Sequence, residues 1–156
     1  MRYLIAVMAV LLLPVLSSAQ CLTTLPPHPP FVPPEPYLQQ LPANGMFWYG
    51  TDALWTHLGI DGKLEMRNNV MTTKLVFWSR EFDFRKELEP KLIVTGKRLD
   101  GDAPSVAVAH ANAVFVTGPM PAAMMTGFDI PTAGCWEITA HYKGHALTFI
   151  VSVVEK

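Results

Sequence analysis

Several sulfur- and nitrogen-bearing side chains near the C-terminus have the chemistry of a transition-metal site. Cys135, His141 and His145 fall within eleven residues, and Met120 and Met124 precede them. Thiolate, thioether and imidazole groups are ligands that copper and zinc accept, although methionine more often packs in a core. A periplasmic copper carrier is therefore one hypothesis for this chain, with His141, His145, Met120 and Met124 as its candidate ligands.

The patterns that would indicate an enzyme are weaker. No serine beyond residue 19 lies in a nucleophile-elbow context; these serines are Ser79, Ser105 and Ser152. His57 and His110 are isolated in the sequence, and His110 shares a strand phase with Val106 and Val108, as a core or edge histidine would. The run 80–87 mixes carboxylates with cations, which is typical of a solvated strand face. We predict that the protein is not an enzyme and needs no cofactor.

Large aromatic side chains offer a third kind of chemistry, because exposed rings can stack on sugars. The candidates are Trp48, Tyr49, Trp55 and Trp78. Burial of such rings is what stabilises a small β domain, so we expect these four in the core. A carbohydrate-binding module remains an alternative that an exposed pair of rings would favour.

The elements that position these residues are predicted to be β-strands. Short aromatic or β-branched runs are separated by turn signals such as Asp61-Gly62 and Asp100-Gly101, and no long stretch has a helical period. The segment 74–84 alternates well, with Val76, Trp78, Phe82 and Phe84 in one phase, and 105–117 is a small apolar run. Strands at this spacing predict an all-β sandwich or small barrel.

The last hairpin has the best-defined register. With Lys143-Gly144 as a two-residue turn, Tyr142 pairs with His145 and Trp136 pairs with Val151. One face then collects the apolar residues of both strands, and a one-residue slip would spoil this agreement. In this register His141 points outward and His145 follows the opposite phase. We therefore predict no metal site from the hairpin alone.

The N-terminus carries export signals. Residues 1–19 have a basic start, a short apolar run and a Ser17-Ser18-Ala19 ending, which predicts a signal peptide cleaved after Ala19. Lipid attachment at Cys21 is the alternative, although Gln20 and Ser18 do not fit a lipoprotein signal well. No later segment has the length and apolarity of a transmembrane helix. The protein is expected to be periplasmic or extracellular.

The segment 20–44 should be extended, because eight prolines lie between Leu25 and Pro42. It is interpreted either as a spacer or as a strap laid over its own domain, with Phe31 and Tyr37 as docking residues. The domain itself is expected to span residues 45–156. In an oxidising compartment Cys21 and Cys135 are most simply a disulfide that ties this segment down.

Charge excludes one class of partner. Twelve Lys and Arg against thirteen Asp and Glu give a net charge of −1, and loss of Arg2 with the signal leaves −2. There is no basic stripe, so nucleic acid is not an expected partner. The protein is expected to be an exported, non-catalytic binding or structural module of the cell envelope, with an unknown protein or glycan as its partner.

The C-terminal hairpin also carries a family resemblance. Phe128 to Thr139 (FDIPTAGCWEIT), followed by Tyr142-Lys-Gly-His145 and Leu147 to Val151, resembles the ending of a family of uncharacterised exported bacterial proteins. The stretches Pro29–Tyr37 and Phe47–Trp55 resemble that family too. The resemblance implies an immunoglobulin-like fold and an extracytoplasmic bacterial setting. It implies no activity and no site residues, and it agrees with the Cys21–Cys135 pairing.

Overall fold

The computed structural model describes residues 20–37, 42, 45–66, 71–115 and 121–155. The predicted signal peptide therefore lies outside the described residues. The described part contains ten strands and no helix that could span a membrane. The strands are β1 (Met46–Gly50), β2 (Trp55–Gly59), β3 (Lys63–Met66), β4 (Met71–Trp78), β5 (Ile93–Arg98), β6 (Val106–Val108), β7 (Asn112–Val114), β8 (Ala123–Ile130), β9 (Gly134–Tyr142) and β10 (His145–Glu155).

The strands form two five-stranded sheets that pack into a sandwich. Sheet 1 has the order β1-β2-β4-β8-β7, and sheet 2 has the order β3-β10-β9-β5-β6. Every pair is antiparallel except β3 with β10, which is parallel. The orders β2-β4-β8-β7 and β5-β9-β10 match the ABED and CFG sheets of an immunoglobulin domain. The predicted all-β immunoglobulin-like sandwich is confirmed.

The register of the β9–β10 hairpin agrees with the prediction. Tyr142 pairs with His145 and Trp136 with Val151. Lys143 and Gly144 both have positive φ, at 46° and 82°, as a type I′ two-residue turn requires. The predicted inner face is buried throughout; its members are Trp136, Ile138, Ala140, Leu147, Phe149, Val151 and Val153.

The main core lies between the sheets. Phe77 and Phe128 of sheet 1 and Trp136 and Phe149 of sheet 2 are at most 1% exposed there. Gly96 of β5 leaves room for this packing, because a Cβ at that position would lie 2.8 Å from the Phe128 ring. Met124 is buried in the same core, so it serves packing.

Two predicted strand segments are interrupted. β4 ends at Trp78, and the residues after it form a loop, because the Ser79 hydroxyl accepts the Glu81 N–H and the Asp83 carboxylate accepts the Arg85 N–H. Such local side-chain bonds compete with strand pairing. Phe82 and Phe84 therefore do not continue the strand phase of Trp78, and the prediction for this stretch is wrong.

The small apolar run 105–117 is also not one strand. It contains β6 in sheet 2 and β7 in sheet 1, so the chain crosses between the sheets around His110. The buried Thr126 hydroxyl fixes this crossing by donating to the His110 carbonyl at 2.7 Å. The His110 side chain is exposed in the link between these two edge strands, so it is not a core histidine.

Candidate functional site

The N-terminal segment 20–37, called the strap below, is fastened to sheet 2 at its beginning. Cys21 forms a disulfide with Cys135, the second residue of β9, with 5.3 Å between the Cα atoms. Three residues later, the Thr24 N–H donates to the Ile150 carbonyl at 2.9 Å, and the Ile150 N–H donates to Thr24 Oγ1 at 2.8 Å. The predicted disulfide is confirmed, and these bonds hold the start of the strap on the edge of β10.

Sheet 1 carries large apolar side chains on its outer face as well as its inner face. Trp55 of β2 pairs with Trp78 of β4, and Gly50 of β1 pairs with Trp55. Because successive residues of a strand point to opposite faces, Trp55 and Trp78 lie outside the main core, although they are 0% and 1% exposed. The outer aromatic cluster consists of Trp48, Trp55, Trp78 and Ala123 of sheet 1, with Val76 and Val114 packed against it; Tyr37 and Phe31 of the strap pack on it.

The strap covers this cluster. The Tyr37 ring is edge-on to Trp55 at 4.7 Å between centroids, and the Phe31 ring is 6.4 Å from Trp55. Pro33 and Pro34 between them are buried. The Tyr37 hydroxyl donates to the Ser79 carbonyl at 2.9 Å, and burial raises the pKa of Tyr37 despite the nearby Arg80. Docking of the strap through its two aromatic residues is thus observed.

One polar atom in this layer has no partner. Trp78 Nε1 is buried, and no hydrogen-bond acceptor for it is found in the part of the chain that the structure describes. Buried indole N–H groups usually find an acceptor, because an unsatisfied donor is costly. The outer aromatic cluster therefore contains a hydrogen-bond donor that the strap leaves unused.

His57 is a titratable group beside Trp78. Its ring lies 5.5 Å from Trp78 and 6.1 Å from Trp48, between centroids. Burial lowers the pKa of His57, because the charged imidazolium is poorly solvated there. The imidazole is therefore neutral at neutral pH and packs beside the rings of Trp48 and Trp78.

Polar contacts of Glu87 join the loop after β4 to the β9–β10 turn. The Tyr142 hydroxyl donates to Glu87 Oε2 at 2.6 Å, and Lys143 Nζ lies 3.3 Å from the same oxygen. Burial alone would raise the pKa of Glu87, but hydrogen bonds from Tyr142, Lys91 and Lys143 together lower it. Burial and the Glu87 contact raise the pKa of Tyr142. Tyr142, Lys143 and Glu87 thus satisfy one another's hydrogen-bonding and charge requirements, which is consistent with a structural role.

The candidate metal ligands are not brought together. His145 Nε2 contacts Glu81 Oε1 at 2.7 Å, His141 is exposed on the outer face of sheet 2, and Met124 is buried between the sheets. Met120 lies outside the described residues. Cys135 is held in the disulfide. Within the described ranges, no group of three or more His, Cys, Asp or Glu side chains is arranged to hold a metal ion.

The four aromatic residues proposed for sugar stacking are placed differently from one another. Trp48, Trp55 and Trp78 are buried in the outer aromatic cluster, so their burial agrees with the prediction but their place outside the main core was not foreseen. Tyr49 is half-buried against the main core, and its hydroxyl donates to the Thr148 carbonyl. The sequence signal for a covered outer face is the adjacency of large residues in Phe47-Trp48 and Phe77-Trp78, because neighbours in a strand face opposite sides.

This arrangement can bind an extended apolar segment, since it already does so with the strap. The site contains no nucleophile and base in contact: the Ser79 hydroxyl accepts a backbone N–H, and the described hydrogen bonds join it to no histidine.

No family model matches the chain, and searches of curated proteins and of solved structures returned no significant match.

Proposed function

We propose that this chain is an exported, non-catalytic binding module of the bacterial cell envelope. The observation that carries the proposal is the strap, which a disulfide fastens to sheet 2 and which shields the outer aromatic cluster on sheet 1. Structural disulfides persist in oxidising compartments such as the periplasm. An outer face with this much aromatic area, covered by a segment and not by a third sheet, is suited to reversible contact with an apolar partner.

The pairing of the acidic side chains supports a non-catalytic role. Glu81, Glu87 and Asp100 each contact a basic or hydroxyl group, namely His145, Tyr142 and Arg98. In the described residues these contacts join loops to strands. The alternatives, a copper carrier and a carbohydrate-binding module, receive no specific support from the positions of their candidate residues.

The test is intact-mass measurement on protein exported by a bacterium from the full 156-residue sequence. Under denaturing, non-reducing conditions we expect a chain from Gln20 to Lys156 that is two hydrogens lighter than its reduced form. Cys135→Ser is the matched control, which should lose that difference. Retention of residues 1–19, or a lipid on Cys21, would contradict the proposal for export and tethering.

The same sample distinguishes the alternatives. Native mass spectrometry that finds stoichiometric copper, lost in His141→Ala or His145→Ala, would replace the proposed function with metal carriage. A change in tryptophan fluorescence on addition of envelope glycans would favour the carbohydrate-binding alternative. We expect neither result.

A further inference from the structure

We infer that the outer aromatic cluster is a recognition groove for a proline-rich extended peptide of a partner protein. In the structure the strap occupies this groove as an intramolecular ligand. This inference rests on the proposed binding function and names the chemical class of the partner. Its starting point is the segment that already fills the groove.

The strap shows which chemistry fits. Phe31 and Tyr37 pack on Trp55, and the prolines between them, Pro33 and Pro34, are buried. Proline-rich segments dock in aromatic-lined grooves because their backbone is already extended and loses little entropy on binding. A partner peptide with the same character would meet the same aromatic surface.

The middle of the strap is held by few polar contacts. Residues 25–36 form no hydrogen bond to the sandwich among the described residues, and prolines have no N–H to offer. The Tyr37 hydroxyl supplies a bond at the end, to the Ser79 carbonyl. Residues 25–36 are therefore held mainly at their two ends, by the disulfide of Cys21 and by Tyr37.

Trp78 indicates that a better occupant exists than the strap. Its buried Nε1 has no acceptor in the described chain. Proline has a backbone carbonyl acceptor and no N–H donor, so a proline-rich ligand can present a carbonyl to this donor. A ligand that does so forms a buried hydrogen bond that the strap does not form.

This unused donor also decides between two sources of the peptide. The strap of a second copy would make the contacts that the resident strap makes, and the resident strap has the higher effective concentration. An identical segment from another copy therefore has no advantage. A peptide from a different protein, with a carbonyl placed for Trp78, does have one.

The experiment uses the full disulfide-bonded chain labelled with ¹⁵N, with acetylated decaproline as the probe. The indole N–H signal of Trp78 is assigned by its loss in Trp78→Phe. In Tyr37→Ala, whose strap is loosened, we expect this signal to move downfield and saturate, with an affinity roughly tenfold or more above that of the native chain because the closed strap competes. Trp78→Phe in the Tyr37→Ala background should bind roughly three- to tenfold more weakly.

The controls make each outcome decisive. A Gly-Ser peptide of the same length should leave the Trp78 signal unmoved, and an equal response to it would overturn the inference. So would an unmoved Trp78 signal in a folded Tyr37→Ala chain, or binding of a peptide of residues 25–37 but not of decaproline. If Tyr37→Ala does not fold, Tyr37→Phe keeps the ring, removes the bond to Ser79, and is subject to the same criteria.

Failure of this inference is distinguishable from failure of the proposed function. An exported, disulfide-bonded chain that ignores decaproline remains a binding module with another class of partner. A chain that binds decaproline through Trp78 but is not exported would retain the groove and lose the envelope role.

Discussion

The ring of Tyr37 stands edge-on to that of Trp55, with centroids 4.7 Å apart and an interplanar angle of 87°. Edge-to-face pairs of this kind are favoured by the aromatic quadrupole. Since Tyr37 belongs to the strap and Trp55 to β2, this pair is the contact through which a proline-rich segment becomes part of the folded domain.

The first prediction concerns this pair. Tyr37→Ala should lower the free energy of unfolding by about 2–4 kcal/mol, because it removes a buried ring and a hydrogen bond. Tyr37→Phe should cost about 1 kcal/mol, since it removes only the bond to Ser79. Urea unfolding measures both. Glu35→Ala, at an exposed strap position, is the control and should change stability by less than about 0.5 kcal/mol; equal losses in all three would refute this account.

The second prediction concerns the disulfide. Cys21 and Cys135 are 114 residues apart, so the crosslink restricts a large part of the unfolded chain. The double variant Cys21→Ser, Cys135→Ser should lose about 2–5 kcal/mol of stability. Thermal unfolding with and without reductant is the measurement. A melting temperature that reductant lowers in the double variant as much as in the native chain would show that the disulfide is not responsible.

The third prediction is a pH dependence from His57. Burial lowers the pKa of this imidazole in the folded state, so the unfolded chain takes up its proton first. Between the two pKa values the unfolded state binds more protons, and stability falls as the pH drops below the ordinary histidine value of about 6.5. Stability should be full above that pH.

His57→Gln should flatten this part of the profile, which urea unfolding from pH 7.5 to 5 will measure. His141→Gln changes an exposed histidine on the opposite sheet and should leave the profile as it is. Equal flattening by both variants would mean that His57 is not the sensitive group.

The fourth prediction concerns the contact between Tyr142 and Glu87. Glu87→Gln replaces a charged acceptor by a neutral one, so the bond from Tyr142 and the ion pair with Lys143 both weaken. We expect a loss of about 1–3 kcal/mol, within the range for hydrogen bonds to charged groups. Glu89→Gln, an exposed neighbour, should be nearly neutral in the same unfolding assay, and similar losses in both would argue against a specific contact.

Because these hydrogen bonds lower the pKa of Glu87, its stabilising contribution is present above the ordinary glutamate pKa. The contribution is lost as the pH falls through the lower pKa of the folded state. The loss from His57 begins at the ordinary histidine pKa, which is higher than the ordinary glutamate pKa at which the loss from Glu87 begins.

The fifth prediction compares two strand glycines. Gly96→Ala places a Cβ 2.8 Å from the Phe128 ring in the main core, whereas a Cβ at Gly127 meets nothing within 4 Å. We expect Gly96→Ala to destabilise the protein by about 1–3 kcal/mol through overpacking. Gly127→Ala should be neutral within about 0.5 kcal/mol. A thermal melt that ranks them the other way would contradict the packing described for β5.

The parts of the fold that sequence predicted are those in which two signals agree. In the β9–β10 hairpin, both strands select the same buried face, and the Lys143-Gly144 turn fits their separation. The disulfide followed from the presence of only two cysteines beyond the signal. Where one signal acted alone it failed: the phase of Trp78 continues through Phe82 and Phe84, yet Ser79 and Asp83 form local turns that end the strand.

The candidate site was only half predictable. The apolarity of Phe31 and Tyr37 indicated that the strap could dock, but the surface that receives them depends on the pairing of Trp55 with Trp78. That pairing joins two strands whose sequence separation leaves their register undetermined. The unused Trp78 N–H depends on the placement of single atoms, which no residue pattern specifies.

The position of Cys21 has a consequence for the timing of maturation. If the chain crosses a membrane from its N-terminus, as the export signals predict, Cys21 emerges 114 residues before its partner. Cys135 belongs to the final hairpin, so native oxidation waits until nearly the whole domain has been delivered. During that interval the first cysteine is a solitary thiol in an oxidising compartment, open to mixed disulfides with small thiols or oxidases. Formation of the Cys21–Cys135 disulfide would then require that β9 has already crossed the membrane.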